Sequence, residues 1–531
     1  MRHKQRGQVW AYLAVAGAFL ASMGVPIWSY VSTGDGGVRF SSEVQSSPVS
    51  DEDDVQPMGD DVRAMGDDMD GTMVAAQTAT SSFSRGGCSG SPTTTPFQAS
   101  LPILPVLSPT STDATTDFYT ITMQQGTAQM IPGKTTTIWG YNGITPGPVI
   151  KARTGRRLQV TQTNNLPENM TVHLHGGHTP SSSDGGPVAY VPPGTAFDYV
   201  YPNNQIGTTL WYHDHAMDLT GAHVYKGLAA VYVLQDDFEL GLPLPSGSFD
   251  VPLVIQDKTF NADGSLCYVV DSSAIRQGFQ GDSILVNGAV QPVLKVAQHK
   301  YRFRILNGSN SRQYQMALSN GDPMVQIASD GGLLQAPVSR TSANIAPAER
   351  EEFVIDFAKY PIGTQIVLNN QNSFGSTAQI MRFDVTSAST DTSSVPATLR
   401  TIPKLDPSTA VVTRRWSLSQ NNGVWVINNK AYDPNRIDAQ PKLGTTEIWE
   451  FNNQSGEDHP MHIHDVQFQI LGDFNPPPAY NAGWKDTVLV KGRDSVRVIA
   501  QFLDNTGVYV FHCHNLEHED NALMGQFQVV P

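Results

Sequence analysis

The chain has 531 residues, which corresponds to roughly three and a half average domains and predicts several modules rather than one. Only 16% of residues are charged, against an ordinary share of about 25%, and 46 Gly with 35 Pro favour turn-rich β structure. The formal charge of -15 excludes a nucleic-acid binder, which needs clustered Lys and Arg for phosphate contacts, and three cysteines exclude a disulfide-dense, zinc-ribbon or ordinary iron–sulfur scaffold.

Residues 1–32 read as an export segment. Arg2, Lys4 and Arg6 precede an uncharged stretch from Gly7 to Gly34, with an apolar core from Val9 to Leu20 that continues through Ile27 and Trp28. Cleavage as a signal peptide and retention as a membrane anchor both stay open, because the stretch is borderline in length for a spanning helix and Pro26 interrupts it. Either way the expected location is outside the cytoplasm: extracellular, periplasmic or anchored to the envelope. Residues 33–112 follow, with eleven Asp/Glu against three Arg in a background of Ser, Thr, Gly and Pro. So little apolar surface cannot offset the entropy of ordering, so a disordered acidic tether is expected. Within it Met58, Met65, Met69 and Met73 lie among carboxylates, a pattern that suits loose copper binding or plain solvation.

Beyond residue 112 the chain repeats itself. The stretches Tyr141 to Gly176, Val286 to Leu318 and Ile427 to His464 share a frame of Asn-Gly or Asn-Asn, a Pro, an alternating strand and a second Asn cluster. The anchoring residues Asn142, Asn287 and Asn428 are 145 and 141 residues apart, a domain-sized period. Three homologous domains are expected, at 113–240, 241–400 and 401–531. Runs such as Arg157 to Thr161 and Tyr301 to Ile305 alternate in polarity between Gly, Pro and Asn turns. The fold class is therefore all-β, with Greek-key barrels or sandwiches.

The chemistry lies in four histidine clusters among fourteen histidines. His173 and His175, then His213 and His215, fall in the first repeat; His459, His462 and His464, then His512, His514 and His518, fall in the last. On a strand, residues i and i+2 face the same side, so each His-x-His points two imidazoles into one space. The middle repeat has Gln315-Met316-Ala317 at the corresponding strand. The metal site therefore belongs between the first and third domains, with the second as a spacer. Cys513 faces away from its neighbours His512 and His514; joined by His459 and His518 it makes the two-imidazole, one-thiolate set of a blue-copper centre. Eight imidazoles remain for a trinuclear group, a donor set that favours copper over zinc.

At these residues the chain resembles the three-domain multicopper oxidases of the laccase type. The motifs TVHLHGGHTPSSSDG, LWYHDHAM, GWKDT and HCHNLEHED are most similar to bacterial spore-coat laccases, with bilirubin oxidase and phenoxazinone synthase as cousins. The resemblance covers roughly residues 113 to 531 and implies three cupredoxin-like domains. It also implies four coppers, one of type 1, one of type 2 and two of type 3, that couple one-electron oxidations to reduction of O2 to water. Carried over by position, His459, Cys513 and His518 resemble the type 1 ligands and His173 and His462 the type 2 pair. His175, His213, His215, His464, His512 and His514 resemble the type 3 ligands. His178 and His223 are read as residues behind the ligands or at the surface. Glu519 and Asp184 match family positions that relay protons to oxygen.

Small aromatic reductants such as phenols or aminophenols are the expected substrates, with the edge of His518 as the electron entry point. The stretch from Asp465 to Lys485 is short and has no Met, so the type 1 site is read as uncovered. A metallo-oxidase for Cu(I), Fe(II) or Mn(II) is the rival reading, and a non-catalytic copper-binding array the more distant one. The family's axial type 1 ligand lies ten residues after the cysteine, where this chain has Leu523 followed by Met524. Leu523 is expected to be an axial non-ligand, with a one-residue shift that brings Met524 to the copper as the competing reading. Pairing of Cys88 with Cys267 stays open, and oligomeric state leaves no signal in the sequence.

Overall fold

The computed structural model describes residues 87, 88, 90–472 and 477–531. The export segment and the Met-containing acidic stretch lie outside the described residues. Among the described residues no helix is long and apolar enough to cross a membrane.

Six sheets pair into three two-layer sandwiches of cupredoxin-like kind, each around its own apolar core. In each, a long first strand runs parallel to a later one: Thr116–Ala128 with Arg157–Asn164, Asp250–Phe260 with Lys300–Asn307, and Ala410–Asn421 with Thr445–Asn453. A parallel pair cannot be closed by a tight hairpin, so the chain crosses over between them. The repeated asparagines anchor that crossover. Asn142, Asn287 and Asn428 sit at φ of 55°, 49° and 51°, a left-handed conformation that Asn tolerates. Each offers its side-chain oxygen to a first-strand N–H, from Thr122, Val254 and Ser417 at 2.9, 2.8 and 2.8 Å. One residue type thus does one job three times.

A further apolar cluster joins the sandwiches to one another. Val149, Trp211 and Val231 meet Val254, Leu306 and Leu516 there, and Leu104 enters it from the segment that precedes the first sandwich. This corrects the expectation of a disordered tether up to residue 112. From residue 97 the chain is laid along two sandwiches: Phe97 and Leu101 donate to the carbonyls of Gln291 and Val293, and Leu107 donates to Val149. Composition averaged over eighty residues hides the reason, which is local. Leu101 and Leu104 bury their side chains, while Pro102 and Pro105 stay exposed and restrict the backbone. The structure also closes the Cys88–Cys267 disulfide, with Cα atoms 5.8 Å apart, and so pins this segment to the second sandwich.

Candidate metal centres

Two short strands carry the first histidines. His173–His175 pairs antiparallel with Thr208–His213, and His173 stands directly opposite His213. In the third sandwich His459–Ile463 runs between Thr487–Val490 and Gly507–Cys513, with His462 opposite His512. Directly opposed residues project to the same side of a sheet, so each pairing doubles the imidazoles on one face. The two faces meet. His173 stacks on His464 at 3.8 Å between ring centroids, and His175 stacks on His462 at 3.6 Å. His173, His175, His213, His215, His462, His464, His512 and His514 are all buried.

Backbone carbonyls set the tautomers. His173, His213, His462 and His512 donate Nδ1–H to the carbonyls of Asp184, Asp214, Asp486 and Cys513 at 2.7, 2.8, 2.8 and 3.0 Å. A carbonyl only accepts, so Nδ1 carries the proton and Nε2 keeps its lone pair. Yet Nε2 of His173 lies 3.4 Å from Nε2 of His462, with no hydrogen to place between them. Nε2 of His512 likewise lies 3.1 Å from that of His215 and 3.2 Å from that of His464. His514 has neither ring nitrogen bonded, although it is buried. Burial holds His213 and His462 down to about 3, so these rings are neutral at ordinary pH. Converging lone pairs on neutral imidazoles form a receptor for cations.

On the other side of the Gly507–Cys513 strand, Cys513 Sγ lies 3.4 Å from His459 Nδ1 and 3.7 Å from His518 Nδ1. The two Nδ1 atoms are 3.1 Å apart, and the N–H of Asn515 points at the sulfur from 3.4 Å. The reading of this site as uncovered is corrected here. His518 is fully buried and donates Nε2–H to the carbonyl of Arg276 at 3.0 Å. Cover comes from the short helix Ser272–Gln277 of the second sandwich. That helix is 240 residues away in sequence and carries no metal-binding signature that would reveal it.

Two carboxylates flank the eight-histidine cluster. Glu519 lies 3.0 Å from His512 Nδ1 and 3.3 Å from His215 Nδ1. Its burial opposes ionisation, but the imidazoles of His512 and His215 overcome this and hold it down at about 2. Asp184 faces His464 Nδ1 at 2.8 Å; burial, and then the charge of Asp465, push its carboxyl well up. Leu523 sits in the same buried cluster as Cys513, whereas Met524 pairs across the ladder with His512 and lines a small cavity with Glu519 and Asp520.

Sequence reasoning gave no role to Asp486 or Asp214, which stand behind the ligand candidates. Asp486, inside the GWKDT motif, faces His175 Nε2 at 3.0 Å and is gripped by Arg350. Asp214, between two ligand candidates, accepts from Thr171 N–H and pairs with His223 at 2.7 Å. His178 instead pairs with Asp504 at 2.7 Å and is half-buried.

Family models described as multicopper oxidase match residues 122–238, 249–389 and 404–531. The chain is 38% identical to a laccase from Bacillus subtilis over 81% of its own length and 97% of that protein. It is 37% identical to a bilirubin oxidase from Albifimbria verrucaria, with 81% of each chain covered. The crystal structure of a laccase from Pediococcus acidilactici superposes with a TM-score of 0.76 at 32% identity, covering 83% of this chain and 95% of that one.

Proposed function

We propose, from the premise that the chain belongs to the multicopper oxidase family, that it is a laccase-type enzyme acting on small aromatic reductants with O2 as terminal acceptor. The family binds four coppers, and the donor sets above fit them: soft thiolate with imidazole at one site, imidazole alone at the other. His459, Cys513 and His518 would hold the type 1 copper; His173 and His462 the type 2 copper; His175, His213, His215, His464, His512 and His514 the type 3 pair. When bound, these coppers supply one-electron acceptance at the first site and four-electron reduction of O2 at the second. The observation that carries the reading is the triplet His512-Cys513-His514. Its alternating side chains belong to both sites, so an electron arriving at the sulfur has a covalent route to either imidazole.

The protein's own residues organise the rest. Carbonyls of Asp184, Asp214, Asp486 and Cys513 fix the imidazole tautomers before any metal arrives, which removes reorganisation from binding. Glu519 and Asp184 stand where protons are consumed, each within 3.3 Å of a ring nitrogen. Burial of the ten clustered histidines keeps bulk water from both sites. Leu523, buried beside Cys513, would face a copper held there with an apolar side chain that cannot coordinate.

Export is part of the proposal. The Cys88–Cys267 disulfide supports an oxidising compartment, and the positively charged start followed by an apolar stretch supports translocation. The test of substrate class is turnover of copper-loaded protein under O2 with an aminophenol-type dye beside Cu(I), Fe(II) and Mn(II). Fast rates with the dye support the reading; rates fast only with a metal ion overturn it.

A further inference from the structure

The carboxylate of Asp214, between His213 and His215, ties backbone to backbone. Its Oδ2 accepts the N–H of Thr171 at 2.9 Å and its Oδ1 the N–H of Ala216 at 3.0 Å, while Thr171 Oγ accepts the N–H of His215 at 3.1 Å. Thr171 lies two residues before His173, and Ala216 directly follows His215. One fully buried carboxylate thus fastens the segment of the first histidine pair to the segment of the second. A charge at that depth needs a counter-charge.

His223 supplies it from the short helix Thr220–Lys226. Its Nδ1 lies 2.7 Å from Asp214 Oδ1 and its Nε2 3.0 Å from Glu168 Oε2, and the ring is fully buried. Ionised carboxylates only accept, so both ring nitrogens carry protons and the ring is an imidazolium. Burial opposes that charge; Asp214 and Glu168 overcome it and hold the ring above its ordinary range. Lys226 acts against them from 3.6 Å beyond Glu168, with its ammonium over the Trp139 ring. Trp139 also packs on His223 at 5.5 Å between ring centroids, and Tyr141 on the same strand, which burial keeps protonated, faces Asp214. Of the three linked side chains only Glu168 reaches solvent, at 26% exposure.

We propose that His223 is a positioning residue for the trinuclear site: as the imidazolium counter-ion of Asp214 it keeps the two histidine pairs of the first sandwich at copper-binding spacing, and its deprotonation loosens their hold on copper. The proposal rests on the ligand assignment above, in which His173, His175, His213 and His215 hold type 2 and type 3 copper. As pH rises the ring gives up one proton, past Glu168 to solvent. Asp214 then keeps a buried charge with no cation in contact, and turning toward water to relieve it breaks the bonds to Thr171 and Ala216. Below the ring's titration the clamp is complete, so copper retention falls as pH rises through it.

The test follows release of copper from the full copper-loaded chain into a chelator, from about pH 6 to about pH 10, with the blue band as a record of the Cys513 site. The parent should release its other coppers faster above the titration of His223. Glu168→Gln removes the outer carboxylate and should move that acceleration to lower pH. His223→Gln should release them about tenfold faster already at the acid end, keep its blue band, and lose the alkaline acceleration. A His223→Gln protein that keeps the parental pH profile, or a Glu168→Gln profile in the parental position, overturns the proposal. If His223→Gln does not fold, the Glu168→Gln profile alone decides. If the chain holds copper only at Cys513, the ligand assignment fails, and amide hydrogen exchange at Thr171 and Ala216 over the same pH range decides the clamp. Protection that falls above the titration, and at lower pH in Glu168→Gln, keeps it; protection that ignores both overturns it.

Discussion

Arg350 grips both carboxylate oxygens of Asp486, at 2.7 and 2.5 Å, with neither side chain exposed. Burial opposes the charge on Asp486, and the guanidinium overcomes it and holds the carboxyl below its ordinary range. The pair binds the second sandwich to the third, and its free face meets His175 Nε2. Removing one partner of a buried pair leaves the other charge uncompensated, at a cost of about 3–5 kcal/mol. Arg350→Leu is therefore expected to lower the unfolding midpoint of the copper-loaded protein and to reduce type 3 copper content, measured by calorimetry and metal analysis. Arg350→Lys should rescue the charge but not the two-point grip, and so recover only part of both. A full copper complement in Arg350→Leu would remove the link to His175.

Glu519→Gln keeps the shape of the side chain beside His215 and His512 and removes its ability to carry a proton. General acid–base groups contribute about 10²-fold or more to steps that they serve. Turnover under O2 is expected to fall by about that factor, while anaerobic bleaching of the blue band stays at the parental rate. Asp184→Asn should act in the same direction from the other side of the cluster. Unchanged turnover at full copper loading in both variants would remove the relay role.

What the sequence revealed is what a single strand can encode. Alternation places His173 with His175 and His512 with His514 on common faces whatever the rest of the chain does, and the repeated Asn142, Asn287 and Asn428 signal three similar crossovers. The ligand candidates were legible for that reason. The helix Ser272–Gln277 over His518, the clasp between Arg350 and Asp486, and the packing of Trp425 on two imidazoles join segments far apart in the sequence. No local period records such contacts. The extended segment from residue 97 failed for a different reason: its few leucines are diluted by Ser, Thr and Pro, and only the sheet edges at Val149 and Val293 give them a place to bind.

Lys258 is buried, donating Nζ–H to the carbonyl of Tyr225 at 2.7 Å over the same residue's ring. Burial pulls its ammonium down to about 7, and the charge of Asp257 offsets this only in part. The unfolded chain, with an ordinary lysine, binds more protons than the folded one between pH 7 and about 10.4, so stability should rise with pH across that window. Below pH 7 the cost is fully present. Each pH unit of difference corresponds to about 1.4 kcal/mol, which makes the total on the order of a few kcal/mol. Lys258→Met is expected to raise the unfolding midpoint at pH 6 and to lose that advantage steadily toward pH 10. An advantage that does not vary with pH would show that packing, not charge, is responsible.

Leu523 and Met524 compete for the position facing the type 1 copper, and the backbone bonds favour the first. The N–H of Cys513 donates to the carbonyl of Leu523 at 3.0 Å, and the N–H of Leu523 donates to the carbonyl of His518 at 2.9 Å, which fixes the register between two ligand candidates. Met524 begins the next strand opposite His512 and turns toward Glu519 and Tyr432. A site with three strong ligands in an apolar setting favours the less charged cuprous form, and so has a high potential. Leu523→Met should lower the type 1 potential and alter the blue absorption, because a thioether can then reach the metal. Met524→Leu should leave both unchanged, since its sulfur faces the other cavity. The reverse pattern, with Met524→Leu perturbing the blue band and Leu523→Met silent, would require the strand to shift by one residue and would make Met524 the ligand.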